Sequence, residues 1–451
     1  MTSLWFESAL LPHGWANRVR VAAANGRIER IVCDVDPEDA DERLRIGIPG
    51  VPNLHSHGFQ RGIAGLTERR GPEGDSFWTW RELMYQFVER IDPDEVQAIA
   101  SLAYAEMLEC GFTHVGEFHY LHHDRGGVPF ADPGELAGRL AAAAANTGMG
   151  LTLLPTLYAH AGFGGAEPNK LQRRFITDRD RFGDIVDASR KAVKTLPGGV
   201  VGVAPHSLRA VTPEELTWLI ELSRGGVIHI HIAEQIKEVE DCIAWSGQRP
   251  VEWLLDHTAL DARWCLVHAT HVNDAEMRAV AASAAVVGLC PITEANLGDG
   301  IFPAPAFLGH TGRIGIGSDS NVLIDATEEL RTLEYAQRLA HRGRNVLASE
   351  AGRSTGRTLF DAVLAGGAQV LQSPAGLEVG ASLDVVSLDT EQPELMQRRE
   401  DDVLDSWIFA GGRRLVDCVW RAGEKVVING RHRRREAIVA RYRRALKNLL
   451  G

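Results

Sequence analysis

Between residues 49 and 374, short apolar runs alternate with longer stretches that have the periodicity of helices. Each run has the length of a buried strand and is followed closely by a polar residue or a cysteine. Eight such strands with intervening helices predict an α/β protein built around a closed parallel (β/α)8 TIM-like barrel. We expect the eight strands to end at His57, His119, Tyr158, His206, His231, His268, Cys290 and Asp319.

The two ends of the chain carry shorter segments in which apolar and polar residues alternate. Asn25-Gly26 separates two of them and predicts a type I′ hairpin, since both central residues of that turn need a positive φ. Apolar and polar residues alternate in the same way in the segments from residue 383 onward. We predict a small β-sandwich domain from residues 1–48 and 375–430, a barrel from 49–374, and a C-terminal amphipathic helix from 431–451.

The basic C-terminal stretch has an apolar stripe at helical spacing that includes Ile438, Tyr442, Ala445 and Leu449. This pattern favours a helix packed on the surface with its basic residues facing water. An anion-binding tail is the alternative.

Composition and charge restrict the classes of function. The 451 residues are 45% hydrophobic and 24% charged, as in an ordinary globular protein, and the formal net charge is −12. That charge disfavours nucleic acids and anionic membranes as partners. The six cysteines form no C-x-x-C pair, and neither a signal peptide nor a membrane-spanning stretch is visible. We therefore expect a cytoplasmic enzyme with reduced thiols, and we predict a homodimer.

Metal-binding residue types stand at the ends of several predicted strands. His55 and His57 are two residues apart, so in an extended strand both imidazoles point to the same side. His231 ends the fifth strand and Asp319 the eighth, and the C-terminal ends of barrel strands meet at one face. Each residue alone has an ordinary structural explanation. Together they predict a metal site, for which zinc is well suited.

Other titratable residues lie in the same segments. Of His229 and His231 only one is needed as a ligand, and we interpret His229 as a buried structural residue. Glu234, three residues beyond His231, is placed to act as a proton shuttle over the metal. His268 ends the sixth strand and should enter the site, whereas His271 belongs to the following loop.

This set of residues resembles the amidohydrolase superfamily, in its mononuclear deaminase branch. Members with two metals bridge them with a modified lysine at the end of strand four. Here that strand ends Val203-Ala204-Pro205-His206, without a lysine. The resemblance therefore implies one zinc ion per chain, with iron or another divalent metal as the alternative.

Longer segments resemble the formimidoylglutamate deiminase family of bacterial histidine degradation. That family converts N-formimidoyl-L-glutamate and water into N-formyl-L-glutamate and ammonia. One position departs from the family pattern, because Asn321 follows Ser318-Asp319-Ser320 where the family has histidine. The segments that carry the resemblance are Pro52–Arg61, Asp75–Tyr85, Glu117–His122, Pro205–Arg209, His229–Gln235 and Cys290–Gly300.

A substrate with two carboxylates needs local cations in a protein of net negative charge. Arginine suits this task because its planar guanidinium binds a carboxylate through two hydrogen bonds. Arg81 and Arg209 are the candidates, and the resemblance adds Gln60, Tyr120 and His206 as hydrogen-bonding partners. We expect Trp78 and Trp80 to pack the first loop over the barrel mouth without touching substrate.

The expected reaction is a zinc-dependent hydrolysis. The metal, held by His55, His57, His231 and Asp319, supplies hydroxide at neutral pH. Asp319 takes the water proton, His268 orients the attacking oxygen, and Glu234 passes protons to the leaving nitrogen. Two alternatives are a deaminase of a purine, pyrimidine or triazine ring on the same scaffold, and a metal-free barrel that serves only as a binding scaffold.

Overall fold

The computed structural model describes residues 2–70, 76–348 and 350–451, so Met1 and Asp75 of the segments above lie outside the described residues. These three ranges contain seventeen β-strands. The strands are β1 (Thr2–Leu11), β2 (Gly14–Ala24), β3 (Arg27–Val32), β4 (Glu42–Pro49), β5 (Val51–Ser56), β6 (Phe112–His119), β7 (Gly150–Leu157), β8 (Val200–Val201), β9 (Ala204–Pro205), β10 (Ile228–Ile232), β11 (Trp264–His268), β12 (Val286–Leu289), β13 (Arg313–Ile316), β14 (Val385–Leu388), β15 (Val416–Arg421), β16 (Glu424–Ile428) and β17 (Arg431–His432).

The same ranges contain fourteen α-helices, most of them between barrel strands. They are α1 (Phe77–Val88), α2 (Pro93–Glu109), α3 (Glu135–Thr147), α4 (Arg179–Val193), α5 (Pro213–Leu222), α6 (Ile236–Ser246), α7 (Pro250–His257), α8 (Asp274–Ser283), α9 (Pro291–Leu297), α10 (Ala304–Gly309), α11 (Ala326–His341), α12 (Thr355–Leu371), α13 (Asp401–Ser406) and α14 (Arg435–Leu450). None of the helices within the described ranges is long and apolar enough to cross a membrane.

The barrel strands close into a ring of parallel strands. β5 to β8 pair in sequence order, β9 continues the fourth position beside β7, and β10 to β13 pair in order. Val203 and Ile228 form a parallel bridge between these two groups. On the opposite side Ser56 bridges Asp319, and the His57 amide N–H donates to the Asp319 carbonyl at 2.9 Å. The observed strand ends lie within three residues of the predicted ones.

Strands from both ends of the chain share one eight-stranded sheet, in the order β17-β16-β15-β14-β4-β1-β2-β3. Its own apolar cluster includes Phe6, Val21 and Trp420. The predicted hairpin joins β2 to β3, where Asn25 has φ 50° and Gly26 has φ 79°. These pairings support our proposal that residues 1–48 and 375–430 form one unit.

Two helices close the barrel from opposite sides. The end of α12 packs against interior side chains of the barrel, and the Leu371 carbonyl accepts a hydrogen bond from Thr152 Oγ1 at 2.7 Å. At the other side α1 follows the first strand. The buried Arg174 guanidinium donates to the carbonyls of Val88, Ile91 and His123, which fastens the end of α1. The C-terminal helix α14 packs on α2 through Ile438.

Candidate active site

Four side chains from the ends of three barrel strands converge on one point. His55 Nε2 lies 3.2 Å from His57 Nε2 and 3.0 Å from His231 Nε2. Asp319 Oδ1 lies 3.4 Å from His55 Nε2 and 3.3 Å from His57 Nε2. Two nitrogens bound ~2.0–2.1 Å from a tetrahedral zinc ion lie about 3.3 Å apart. The donor atoms therefore have the spacing of ligands around one metal ion.

The protonation of these side chains also fits a metal site. Burial lowers the pKa of His55 to about 3 and holds the pKa of His231 well below its usual range. Burial raises the pKa of Asp319, but hydrogen bonds from His55 and His57 outweigh it and hold that pKa well below its usual range. Neutral imidazoles and an ionised carboxylate are the forms that bind metals.

Hydrogen bonds from outside the cluster orient the ligands. His57 Nδ1 lies 2.9 Å from the Phe118 carbonyl, which leaves Nε2 free to face the cluster. Asn321 is fully buried and its Nδ2 donates to Ser56 Oγ and to the carbonyls of His57 and Asp319, at 3.0–3.1 Å. Asn321 thus joins β5 to the loop after β13.

Two titratable side chains lie beside the four converging side chains. His268 Nε2 lies 3.7 Å from Glu234 Oε1 and 3.8 Å from Asp319 Oδ2. Burial raises the pKa of Glu234 to about 7, despite the opposing charges of His268 and Arg209. A carboxyl with that pKa exchanges protons readily near neutral pH, which suits a general acid or base.

A cavity extends from these four side chains toward α1. It is lined by all five residues that the sequence suggested for substrate binding. The five are Gln60, Arg81, Tyr120, His206 and Arg209. Glu234 and His268 also line it, as do three of the four converging residues, His57, His231 and Asp319. Gln60 Nε2 donates to the Tyr120 hydroxyl at 2.9 Å, so these two side chains form one polar wall.

The two arginines share one aromatic neighbour. The guanidinium carbon of Arg81 lies 4.6 Å from the Trp78 ring centre, and that of Arg209 lies 5.7 Å from it. Among the described residues, Arg81 Nε, Arg209 Nε and Gln60 Oε1 are buried without a hydrogen-bond partner. Buried donors and acceptors without partners are costly, so these two donors and one acceptor beside a cavity indicate a ligand that satisfies them.

Sequence reasoning missed several residues around this cavity. Phe77, Met84 and Tyr85 of α1 line it, as do Tyr158 and Leu297. Trp80 lines the cavity as well, and its predicted lack of contact with substrate stays a prediction. A usable signal was present: Phe77, Arg81, Met84 and Tyr85 follow the i, i+4, i+7, i+8 spacing of one helix face.

Glu238 is another residue that the sequence did not single out. Its Oε2 accepts the backbone N–H of Glu234 at 3.1 Å, and its Oε1 lies 4.0 Å from Arg209 Nε. The Glu238 side chain is fully buried, and its spacing of four residues from Glu234 on the turn into α6 is what brings the two together. Glu238 therefore links the segment of Glu234 to one of the two arginines.

His229 stands one layer deeper in the barrel than His231 and outside the metal cluster. Its Nε2 lies 2.9 Å from the Val370 carbonyl of α12. We expect His229→Asn to lower stability, because loss of a buried hydrogen bond costs about 1–3 kcal/mol, while metal content stays unchanged. Thermal unfolding and metal analysis test this, with His231→Asn as the comparison that should lose metal. Metal loss from a normally folded His229→Asn protein would mean that the wrong histidine was chosen.

Comparisons with known proteins agree over the whole chain. The model of the amidohydrolase family matches residues 46–426, and the model of the N-terminal domain of formimidoylglutamate deiminase HutF matches residues 1–45. A formimidoylglutamate deiminase of Pseudomonas aeruginosa is 50% identical over 100% of this chain and 99% of its own.

Solved structures confirm the predicted fold class, a (β/α)8 barrel with a small β-sandwich domain. An amidohydrolase from Brucella melitensis is 54% identical, covers 100% of both chains and has a TM-score of 0.97. A zinc-bound adenosine deaminase from Xanthomonas campestris has a TM-score of 0.82 over 99% of this chain and 98% of its own, but at 22% identity it shows the fold alone. The chain belongs to the amidohydrolase family and, within it, to the formimidoylglutamate deiminases.

Proposed function

We propose that the protein hydrolyses N-formimidoyl-L-glutamate to N-formyl-L-glutamate and ammonia, a step of bacterial histidine degradation. One observation carries the proposal: a single cavity joins the His55, His57, His231 and Asp319 cluster to two arginines whose Nε atoms have no hydrogen-bond partner in the part of the chain that the structure describes. The substrate has a formimidoyl group at one end and two carboxylates at the other, and so matches both ends of the cavity. The name of the 50% identical relative supports the same reaction.

We assign the four converging side chains to one zinc ion per chain. Three imidazole nitrogens and one carboxylate oxygen form a donor set that zinc binds in hydrolases, with a position left for water. Purified protein is expected to contain about one zinc-like ion per chain by mass spectrometric metal analysis. Two tightly bound ions per chain, or full activity after exhaustive chelation, would contradict this assignment.

The chemical steps follow from the positions of the side chains. His55, His57, His231 and Asp319 would hold the metal, and a zinc ion there would lower the pKa of a bound water to about 7 and so supply hydroxide at neutral pH. In the proposed mechanism Asp319 takes the water proton and His268 Nε2 orients the oxygen. The new C–O bond makes the formimidoyl carbon tetrahedral. Glu234 passes the proton taken from water and then the proton of the new hydroxyl to the terminal nitrogen, so that the C–N bond breaks, ammonia leaves and the carbonyl forms.

The other side chains hold the substrate in place. In the proposed complex Arg81 and Arg209 pair with its carboxylates, and Gln60, Tyr120 and His206 bond to its polar atoms along the wall. Fixing the far end in this way turns the attack into an intramolecular step with a lower barrier. Closure of the cavity by α1 also excludes bulk water, which strengthens the charge pairs.

A substrate panel tests the function directly. Ammonia release is measured with formimidoylglutamate, formimidoylaspartate, guanine and cytosine as substrates. We expect formimidoylglutamate to have the highest kcat/KM, because its chain length lets both carboxylates reach Arg81 and Arg209 while the formimidoyl carbon lies at the metal site. Preference for guanine or cytosine would support the ring deaminase instead, and purified protein with neither bound metal nor turnover would support the metal-free binding scaffold.

Two further proposals concern the state of the protein. We propose a cytoplasmic location, which is supported by six free cysteines, five of them buried. We also propose a homodimer, which light scattering of the purified protein at micromolar concentration would test. A mass near 49.3 kDa, that of one chain, would contradict the dimer.

A further inference from the structure

The loop and short helix behind His268 contain a buried carboxylate that the proposed mechanism does not use. Glu294 belongs to α9, which begins directly after β12, and its side chain is 6% exposed. Its Oε1 accepts the backbone N–H of Cys290 at 2.9 Å and lies 3.2 Å from His268 Nδ1. The hydrogen bond to Cys290 fixes the carboxylate, so Glu294 presents a rigid acceptor to the imidazole.

That contact determines how the His268 ring is used. Glu294 Oε1 already accepts the Cys290 N–H, so it also acts as the acceptor toward the imidazole, and the proton of this contact resides on His268 Nδ1. The ring then directs Nε2 to the other side, toward Glu234 and Asp319 at 3.7 and 3.8 Å. His268 is the last residue of β11 and has φ 68°, so regular strand geometry does not hold it. A side-chain partner on Nδ1 therefore sets the orientation of the ring.

We propose that Glu294 is a positioning residue that holds His268 Nε2 against the attacking oxygen. This inference rests on the proposed function, since it gives His268 its role there. The arrangement follows a general pattern in which a carboxylate fixes the tautomer and the orientation of a catalytic or metal-binding histidine. Glu294 does not itself contact the cavity, and it acts only through His268.

The cluster of His268, Cys290 and Glu294 has a competing interpretation as a second metal site, because its ligand atoms lie within 4.8 Å of one another. The contacts argue against it. Glu294 Oε1 already binds the Cys290 N–H and faces His268 Nδ1, so a metal would displace the hydrogen bond that orients the ring. Burial also holds the pKa of the Cys290 thiol well above its usual range, which disfavours a thiolate ligand.

The chain offers a matched control in Glu329. This carboxylate of α11 is also fully buried, and its Oε2 accepts the Ile292 N–H at the start of the same helix α9, at 2.9 Å. Within the described ranges it makes no hydrogen bond or ion pair with His268. Glu329→Gln therefore perturbs a buried carboxylate at α9 without touching the imidazole.

The kinetic test compares Glu294→Gln with Glu329→Gln in the metal-loaded enzyme. We expect Glu294→Gln to lower kcat for formimidoylglutamate by about tenfold to a hundredfold. KM and metal content should stay unchanged, because neither the arginines nor the metal ligands are altered. Glu329→Gln should keep the parent kcat. Equal kcat for Glu294→Gln and the parent, or equal losses in both variants, would overturn the proposal.

A second measurement needs no turnover. Protein labelled with ¹⁵N-histidine should show an Nδ1–H proton signal, shifted downfield by the carboxylate, that disappears in His268→Asn and moves upfield in Glu294→Gln but not in Glu329→Gln. No such signal in the parent, or two metal ions per chain, would overturn the role of Glu294. A parent that shows the signal but releases no ammonia would instead contradict the proposed function.

Discussion

Replacing Glu234 with glutamine is expected to leave the metal in place and to lower kcat by about a hundredfold or more. A general acid or base contributes ~10²–10⁴-fold to the rate, and glutamine has the same shape but carries no transferable proton of suitable acidity. Glu234 lies outside the metal cluster, 3.7 Å from His268 Nε2, so binding of the metal does not depend on it. Ammonia release and metal analysis on the same preparation provide both values.

The control for this variant is Glu240→Gln. Glu240 lies on the exposed face of α6, in the same segment as Glu234, and its substitution should leave kcat unchanged. A Glu234→Gln protein that kept parental kcat would remove the proton shuttle from the mechanism. Loss of metal from that variant would show instead that Glu234 is a ligand.

Replacing Arg209 or Arg81 with methionine is expected to lower kcat/KM for formimidoylglutamate by tens to thousands of fold. Removing one partner of a desolvated charge pair costs about 2–5 kcal/mol, because the remaining charge is left unpaired. Arg209 is 8% exposed, and among the described residues neither Nε atom has a hydrogen-bond partner, so the substrate carboxylates would be their acceptors. Zinc content should not change, and lysine should restore only part of the loss, since it cannot form paired hydrogen bonds.

Arg179→Met is the matched control for both variants. The Arg179 guanidinium carbon also lies over a tryptophan ring, 6.0 Å from the centre of Trp218, but Arg179 is exposed and does not line the cavity. Its loss should leave kcat/KM unchanged. If Arg209→Met and Arg81→Met turned over formimidoylglutamate like the parent, the pairing of arginines with substrate carboxylates would be wrong. Unchanged turnover in both variants is what a deaminase of a neutral ring predicts. The assignment as a metal-dependent hydrolase would still hold.

Periodicity explains why the barrel could be predicted from the sequence. A buried parallel strand needs a short continuous apolar run, and the following loop must be polar because it emerges at the barrel mouth. Both requirements concern residues that are adjacent in the chain, so both are visible as a pattern in the sequence. The spacing of His55 and His57 is local in the same way, since residues i and i+2 of a strand share a side.

Contacts between segments that are far apart in the chain produce no such pattern in the sequence. Arg81 and Arg209 are far apart in the chain, yet both lie over Trp78, because α1 folds back across the barrel mouth. Trp80 lines the cavity for the same reason. The spacing of Phe77, Arg81, Met84 and Tyr85 marks one face of α1, but the sequence alone does not show that this face turns toward the barrel mouth.

The sequence by itself determined the order of strands, the candidate ligands and the candidate arginines, because these depend on periodicity and residue chemistry. The tertiary structure alone decided which buried carboxylates support them. Glu238 reaches Arg209 and Glu294 reaches His268 across neighbouring barrel positions. Asn321 joins the ends of the first and eighth strands in the same way. Such partners are set by how the barrel closes, and closure brings together residues whose separation along the chain carries no information about their distance in space.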